Sequence, residues 1–238
     1  MISSIKLLKT IRLFGHSLRS VSRTARHPNR MANIKPQNCD FFLVLDFEAT
    51  CNEPKQMDPM EIIEFPVIKV NAQNFTAEQT FHRYVRPKVH TNLTPFCTKL
   101  TGIMDHMVAN EPTFDVVFAD FQQWLHSVGL ICDDLHRPLK KFTFVTCGEW
   151  DLQLMLPSQC QLLNLRIPLY LRTWVNIKKS YANHYKQWPK SLSYMLDELK
   201  IKPLGRLHSG IDDCQNIVAI MKTMANEGVV FKNTSSEW

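Results

Sequence analysis

No apolar run in this chain approaches the roughly 20 residues that a bilayer-spanning helix needs, so stable membrane association is not expected. The chain has no Cys-x-x-Cys, and its seven cysteines are odd in number and widely separated. Neither a zinc cage nor a disulfide framework is indicated, and a reducing compartment fits. No internal repeat is visible and no linker follows Asp40. Residues 40–233 are therefore read as one domain, with 234–238 as a short tail. Residues 1–39 contain no acid but hold eight Lys or Arg, whereas the remaining 20 bases face 22 acids, a balance of −2. The charge of the main body therefore does not announce a nucleic-acid binder. Any nucleic acid it binds must be met by local contacts, with metal ions offsetting the acids.

Within residues 1–30, Leu7, Ile11, Phe14, Leu18 and Val21 recur at spacings of four and three, one face of a helix. Lys9, Arg12, Arg19, Arg23 and Arg26 fall on the other side. This is the make-up of a mitochondrial transit peptide. The alternatives are a loosely binding basic leader, or translation starting at Met31 in a cytoplasmic or nuclear protein.

The body begins with Phe41-Phe42-Leu43-Val44-Leu45-Asp46-Phe47-Glu48-Ala49-Thr50. Five apolar residues suit a strand buried on both faces. Alternation along it sends Asp46 and Glu48 to one side and Phe47 to the other. Two carboxylates at the end of a buried strand repel each other, and partial burial makes both charges costly. Either one takes a high pKa or a cation sits between them, and oxygen ligands suit Mg²⁺ or Mn²⁺.

Strands are expected at 61–70 and 78–85, joined by a turn at 71–77. Thr94 and Pro95 open a short helix that Gly102 closes. A longer helix follows from Thr113 or Asp115, with Phe114, Val117, Phe118, Phe121, Trp124 and Leu125 on its core side. Residues 142–146 read as a strand, and 151–163, 174–185, 191–199 and 212–227 as helices. Three neighbouring strands followed by alternating strands and helices predict an α/β fold around one mixed sheet flanked by helices.

Two further stretches carry acids. Asp151, in Thr146-Cys147-Gly148-Glu149-Trp150-Asp151, sits at a strand-to-helix corner. In Leu207-His208-Ser209-Gly210-Ile211-Asp212-Asp213, a flexible joint separates His208 on a loop from Asp213 in the first turn of a helix. Singly, each is ordinary as a helix-start acid or a surface histidine.

Taken in order, Asp-x-Glu on a central strand, an Asp at a corner and His-x-x-x-x-Asp opening a late helix resemble the DEDDh exonuclease superfamily. The match is to its enhanced-RNA-interference 3′–5′ exoribonuclease branch, over about residues 40–233. It rests on Leu-Asp-Phe-Glu-Ala-Thr-Cys (45–51), Glu-Ile-Ile-Glu-Phe-Pro (61–66), Leu-Thr-Pro-Phe-Cys (93–97) and Leu-Thr-Gly-Ile (100–103). Thr-Cys-Gly-Glu-Trp-Asp (146–151), Asn-Ile-Lys-Lys-Ser-Tyr (176–181) and His-Ser-Gly-Ile-Asp-Asp-Cys (208–214) complete it. The members expected to be nearest are those without a SAP module or zinc finger. Two departures are Leu207, where many relatives have Pro, and a short segment at 188–192.

The resemblance implies an RNase H-like fold and two Mg²⁺ ions, with Mn²⁺ as a substitute. It implies that Asp46, Glu48, Asp151 and Asp213 hold the metal and that His208 is the general base, with Glu48 also given a proton-accepting role. Phe47, Ala49, Leu100, Thr101, Trp150 and His208 would meet the terminal nucleotide. Lys178 and Lys179 could meet phosphates, although a solvated helix face accounts for them better. The implied reaction is trimming of single-stranded or 3′-overhanging RNA to nucleoside 5′-monophosphates, with single-stranded DNA as a further partner. The competing expectations are a DNA-preferring exonuclease and an RNA- or protein-binding adaptor with little turnover. The chemistry independently asks for such groups: a phosphodiester under attack by an anionic nucleophile needs cations, and a base that titrates near neutrality suits His.

Overall fold

The computed structural model describes residues 34–134 and 137–234. The leader and most of the C-terminal tail lie outside the described residues. The described residues form one unit.

Its centre is the apolar run read from the sequence. β1 (Phe41–Leu45) pairs antiparallel with β3 (Ile62–Asn71) on one side and parallel with β5 (Phe142–Thr146) on the other. β4 (Ala77–Tyr84) pairs with the far edge of β3, and β6 (Trp174–Asn176) pairs parallel with β5. A two-residue strand, β2 (Glu48–Ala49), continues the line of β1 along β3. Among the described residues these six strands form one mixed sheet.

Helices cover both faces. α1 (Pro95–Thr101), α2 (Asp105–Val108), α3 (Phe114–Ser127) and α4 (Leu156–Leu162) come first. α5 (Ile177–Tyr185), α6 (Leu192–Glu198) and α7 (Gly210–Asn226) follow. Alternation along β1 divides the core. Leu43, Leu45 and Phe47 pack with the apolar faces of α3 and α4, while Phe42 and Val44 pack with α5, α6 and α7. Phe65 of β3 is fully buried, its ring centroid 4.8 Å from those of Phe47 and Phe121.

Most elements form where composition placed them. Thr94 caps α1 by accepting from Cys97 N–H, Pro95 stands at its start, and Gly102 ends it at φ 80°, a left-handed conformation that favours glycine. Three expectations are corrected. The first strand does not run unbroken through Asp46 and Phe47. Its register continues, Leu45 facing Val67 and Glu48 facing Glu64, but Pro66, which has no N–H, lies opposite the gap. Residues 174–176 are strand, and the helix begins only at Ile177, where Asn176 caps it. The helix after Asp151 opens as a π-helical turn over Trp150–Met155 and tightens to α at Leu156.

Candidate active site

The break after Leu45 frees backbone at the carboxyl ends of the parallel strands, the edge where open α/β sheets place their sites. Phe47 N–H points to the β5 side beyond the last β1–β5 pair, Val44 with Val145, and donates to Asp151 Oδ1 at 2.8 Å, which ties the π-turn to the strand gap. Glu48 follows in β2 and is 8% exposed. From the helical side, Asp213 stands in the first turn of α7, its Oδ2 accepting from His208 N–H at 2.9 Å. His208 is exposed and has φ 61°. Glu48, His208 and Asp213 each offer a ligand atom, all within 4.8 Å of one another.

Asp46, Glu48, Asp151 and His208 line one cleft of about 250 Å³, with Phe47, Ala49, Leu100, Cys147 and Trp150 among its walls. A larger cavity of about 390 Å³ lies between α3 and residues 165–172 and contains none of these acids. Asp46, Glu48, Asp151 and His208 meet in the smaller cleft.

The carboxyls cannot all be anionic together. Burial, then the neighbouring Asp151, Glu48, Asp213 and Glu64, pushes Asp46 well above the usual carboxylate range. Burial, then Glu64, Asp213 and Asp151, raises Glu48 to about 9. Burial raises Asp151 to about 7 against the Phe47 N–H. Asp213 is raised by burial and partly restrained by the His208 N–H and imidazole. Asp213 Oδ1 is buried without a hydrogen-bond partner. An unpaired buried carboxylate oxygen is costly unless a cation meets it. Four carboxylates, an imidazole and that free oxygen suit divalent ions, which take oxygen ligands.

The remaining sequence-derived positions divide. Leu100 and Trp150, which is 36% exposed, present apolar surface to the cleft, and Ala49 lies at its wall. The Phe47 side chain packs against Phe65 in the core, leaving its backbone to the cleft. Thr101 is not among the cleft-lining residues. It is buried, donating to Cys97 C=O and accepting from Ile103 N–H. Lys179 pairs with Glu149 at 2.6 Å, and Lys178 donates to Lys190 C=O at 3.2 Å.

Sequence reasoning missed the groups that hold this arrangement. Glu149 accepts from Trp174 Nε1–H and Asn176 Nδ2–H, so β6 fixes the turn bearing Trp150 and Asp151. Glu64 accepts from the first backbone N–H groups of α7. Its signal was available: a lone acid inside the apolar strand Ile62–Val70.

Buried acids at the strand ends, completed by a histidine and an aspartate at the start of a late helix, form a DEDDh-type arrangement on an RNase H-like exonuclease fold. The chain belongs to the exonuclease family, whose RNase T-type model matches residues 43–221. It is 49% identical over 206 residues to ERI1 exoribonuclease 3 of Homo sapiens, covering 86% of this chain and 59% of that protein. The chain thus spans little more than half the length of this curated relative. Among solved structures it is similar to the nuclease domain of 3′hExo, a DEDDh family member bound to rAMP. That likeness has TM-score 0.79 and 35% identity, covering 86% of this chain and all of that one. It is also similar to a structure of 3′-end recognition of the histone mRNA stem-loop by 3′-exonuclease, with TM-score 0.77 and 35% identity, over 83% of this chain and 67% of that one. The fold implies divalent metal ions.

Proposed function

We infer that this protein is a metal-dependent 3′–5′ exoribonuclease that trims single-stranded or 3′-overhanging RNA and releases nucleoside 5′-monophosphates. The observation that carries this reading is the convergence of Glu48, His208 and Asp213 within 4.8 Å at the edge of a cleft that also holds Asp46 and Asp151. The relatives' names, the rAMP bound to the 3′hExo nuclease domain and the mRNA stem-loop recognised by 3′-exonuclease support RNA as the substrate class.

Asp46, Glu48 and Asp213 are the residues to hold Mg²⁺ or Mn²⁺, with Asp151 assisting. A pair of such ions held there would supply the charge that lowers the pKa of an attacking water and stabilises a departing 3′ oxygen. The chain supplies the rest. Without cations its acids would repel a phosphodiester. Trp150 and Leu100 offer apolar faces against which a terminal base can rest, and stacking on an aromatic tolerates any base. The backbone at Phe47–Ala49 closes the floor of the cleft. His208 stands on the solvent side, hydrogen-bonded through its own N–H to Asp213, and takes the proton of the attacking water.

The test is a panel of 5′-labelled substrates in Mg²⁺: single-stranded RNA, a stem with a 3′ overhang, a blunt duplex and the DNA counterparts. Stepwise shortening of the first two is expected. Shortening of DNA alone would move the reaction to DNA, and no shortening at all would leave an adaptor. We also propose, from its composition, that residues 1–35 direct mitochondrial import. A fused reporter that stays in the cytosol would refute this.

A further inference from the structure

A fifth carboxylate has no part in the mechanism above. Glu64 is 1% exposed near the start of β3. It lies directly opposite Glu48 in the β2–β3 pairing, so the two side chains project from the same face. Like charges facing each other across a sheet destabilise it, and burial adds to the cost. Something must compensate for Glu64, and three donors do. Its Oε2 accepts from Gly210 N–H at 3.0 Å, and its Oε1 accepts from Ile211 N–H at 3.2 Å and lies 2.8 Å from His82 Nε2. The first two are orphan donors at the positive end of α7, where an anion is stabilised.

Their place in the chain gives this contact its consequence. Residues 210 and 211 lie between His208 and Asp213. Gripping them fixes where the helix start meets the strand that carries Glu48. Gly210 makes the approach possible: a Cβ there would stand 2.5 Å from Asp46 C=O. Asp213 N–H donates to Ser209 C=O, and His208 N–H to Asp213, so hydrogen bonds tie this first turn together.

Resting on the exonuclease reading, we propose that Glu64 is a positioning residue. Through Gly210 and Ile211 it sets the distance between the strand-borne Asp46 and Glu48 and the helix-borne Asp213 and His208. It thereby fixes the geometry in which this chain binds a divalent ion. His82 of β4 holds the carboxylate from the solvent side and keeps both of its oxygens turned to α7.

The experiment compares the full chain with its E64Q and E64D variants by Mn²⁺ titration followed by electron paramagnetic resonance, and by RNA hydrolysis. Gln keeps the volume but places an amide donor against a backbone donor. Asp keeps the charge but withdraws the oxygens by one methylene. Partners that orient metal-binding carboxylates are typically worth ~10–100-fold. E64Q is expected to weaken Mn²⁺ binding and lower kcat by that range, with KM for a long RNA within about 2-fold of wild type. E64D is expected to fall between the two. A simple loss of stability would lower the folded fraction but leave Mn²⁺ affinity and kcat per folded molecule unchanged, and that result overturns the proposal. If E64Q does not fold, wild-type Mn²⁺ affinity in E64D overturns it. A wild-type protein that binds Mn²⁺ but leaves RNA intact would refute the exonuclease reading. The Mn²⁺ affinities would still decide the role of Glu64.

Discussion

His208 carries its imidazole on a backbone at φ 61°, a left-handed conformation uncommon outside glycine. Such strain tends to persist at functional sites, held by its surroundings. Here the His208 N–H on Asp213 Oδ2 provides the hold. Replacing His208 by Ala removes the proposed base while leaving the acids in place. kcat for RNA is expected to drop by ~10²–10⁴-fold, with Mn²⁺ affinity changed far less. Equal losses in both would mean that His208 serves the metal instead of the proton. At this scale the five DEDDh positions stand out in the sequence because four acids and a histidine, each beside its own strand end or helix start, rarely fall in that order by chance. Thr101 was not legible: a hydroxyl on a short helix reads equally as a ligand contact or as a bond to its own backbone, and the structure gives it the latter. Glu64 was visible as a lone acid in an apolar strand, but its role and that of Glu149 were not, because their partners are a helix end and a strand that are remote in sequence.

The element that positions the acids is the broken edge formed by β1 and β2. Phe47 shares the parity of Phe41, whose N–H donates to Lys141 C=O on the β5 side, so Phe47 N–H also points away from β3 and, beyond the end of β5, goes to Asp151; Pro66, opposite Asp46, offers β1 no N–H at the gap. The apolar run was legible as a strand, but the break was not, because it is imposed by a proline in the neighbouring strand. β6 was read as part of a helix because Trp174-Val175-Asn176 is too short for alternation to separate it from the helix that follows. Behind the break, Phe65 is the packing centre, in contact with Phe47, Phe81, Phe114 and Phe121. F65A is expected to destabilise the fold by about 3–5 kcal/mol, as for other fully buried aromatics. Chemical denaturation with and without Mg²⁺ measures this. A loss under about 1 kcal/mol would contradict the assigned packing.

Across the whole molecule, the acids make stability depend on pH and metal together. Asp46, Glu48, Asp151 and Asp213 have raised pKa values, so the folded chain keeps protons that the unfolded chain has lost. Stability without metal therefore falls as pH rises from the ordinary carboxylate range through about 7 for Asp151 and about 9 for Glu48. The metal-free Tm is expected to decline between pH 5 and 9. Added Mg²⁺ is expected to restore it, more at pH 8 than at pH 6, because protons then compete less for the ligands. A Tm that rises over the same range without metal would contradict the crowding of these acids. The central claim is that the acids act as one metal-holding unit for removing 3′ nucleotides. Its most direct test is hydrolysis of 5′-labelled single-stranded RNA across a Mg²⁺ titration, for the wild-type chain and D213N side by side. The account predicts a ladder that shortens from the 3′ end only when Mg²⁺ is present, and no ladder from D213N at any Mg²⁺ concentration. A ladder in chelator, or equal ladders from both proteins, would contradict it.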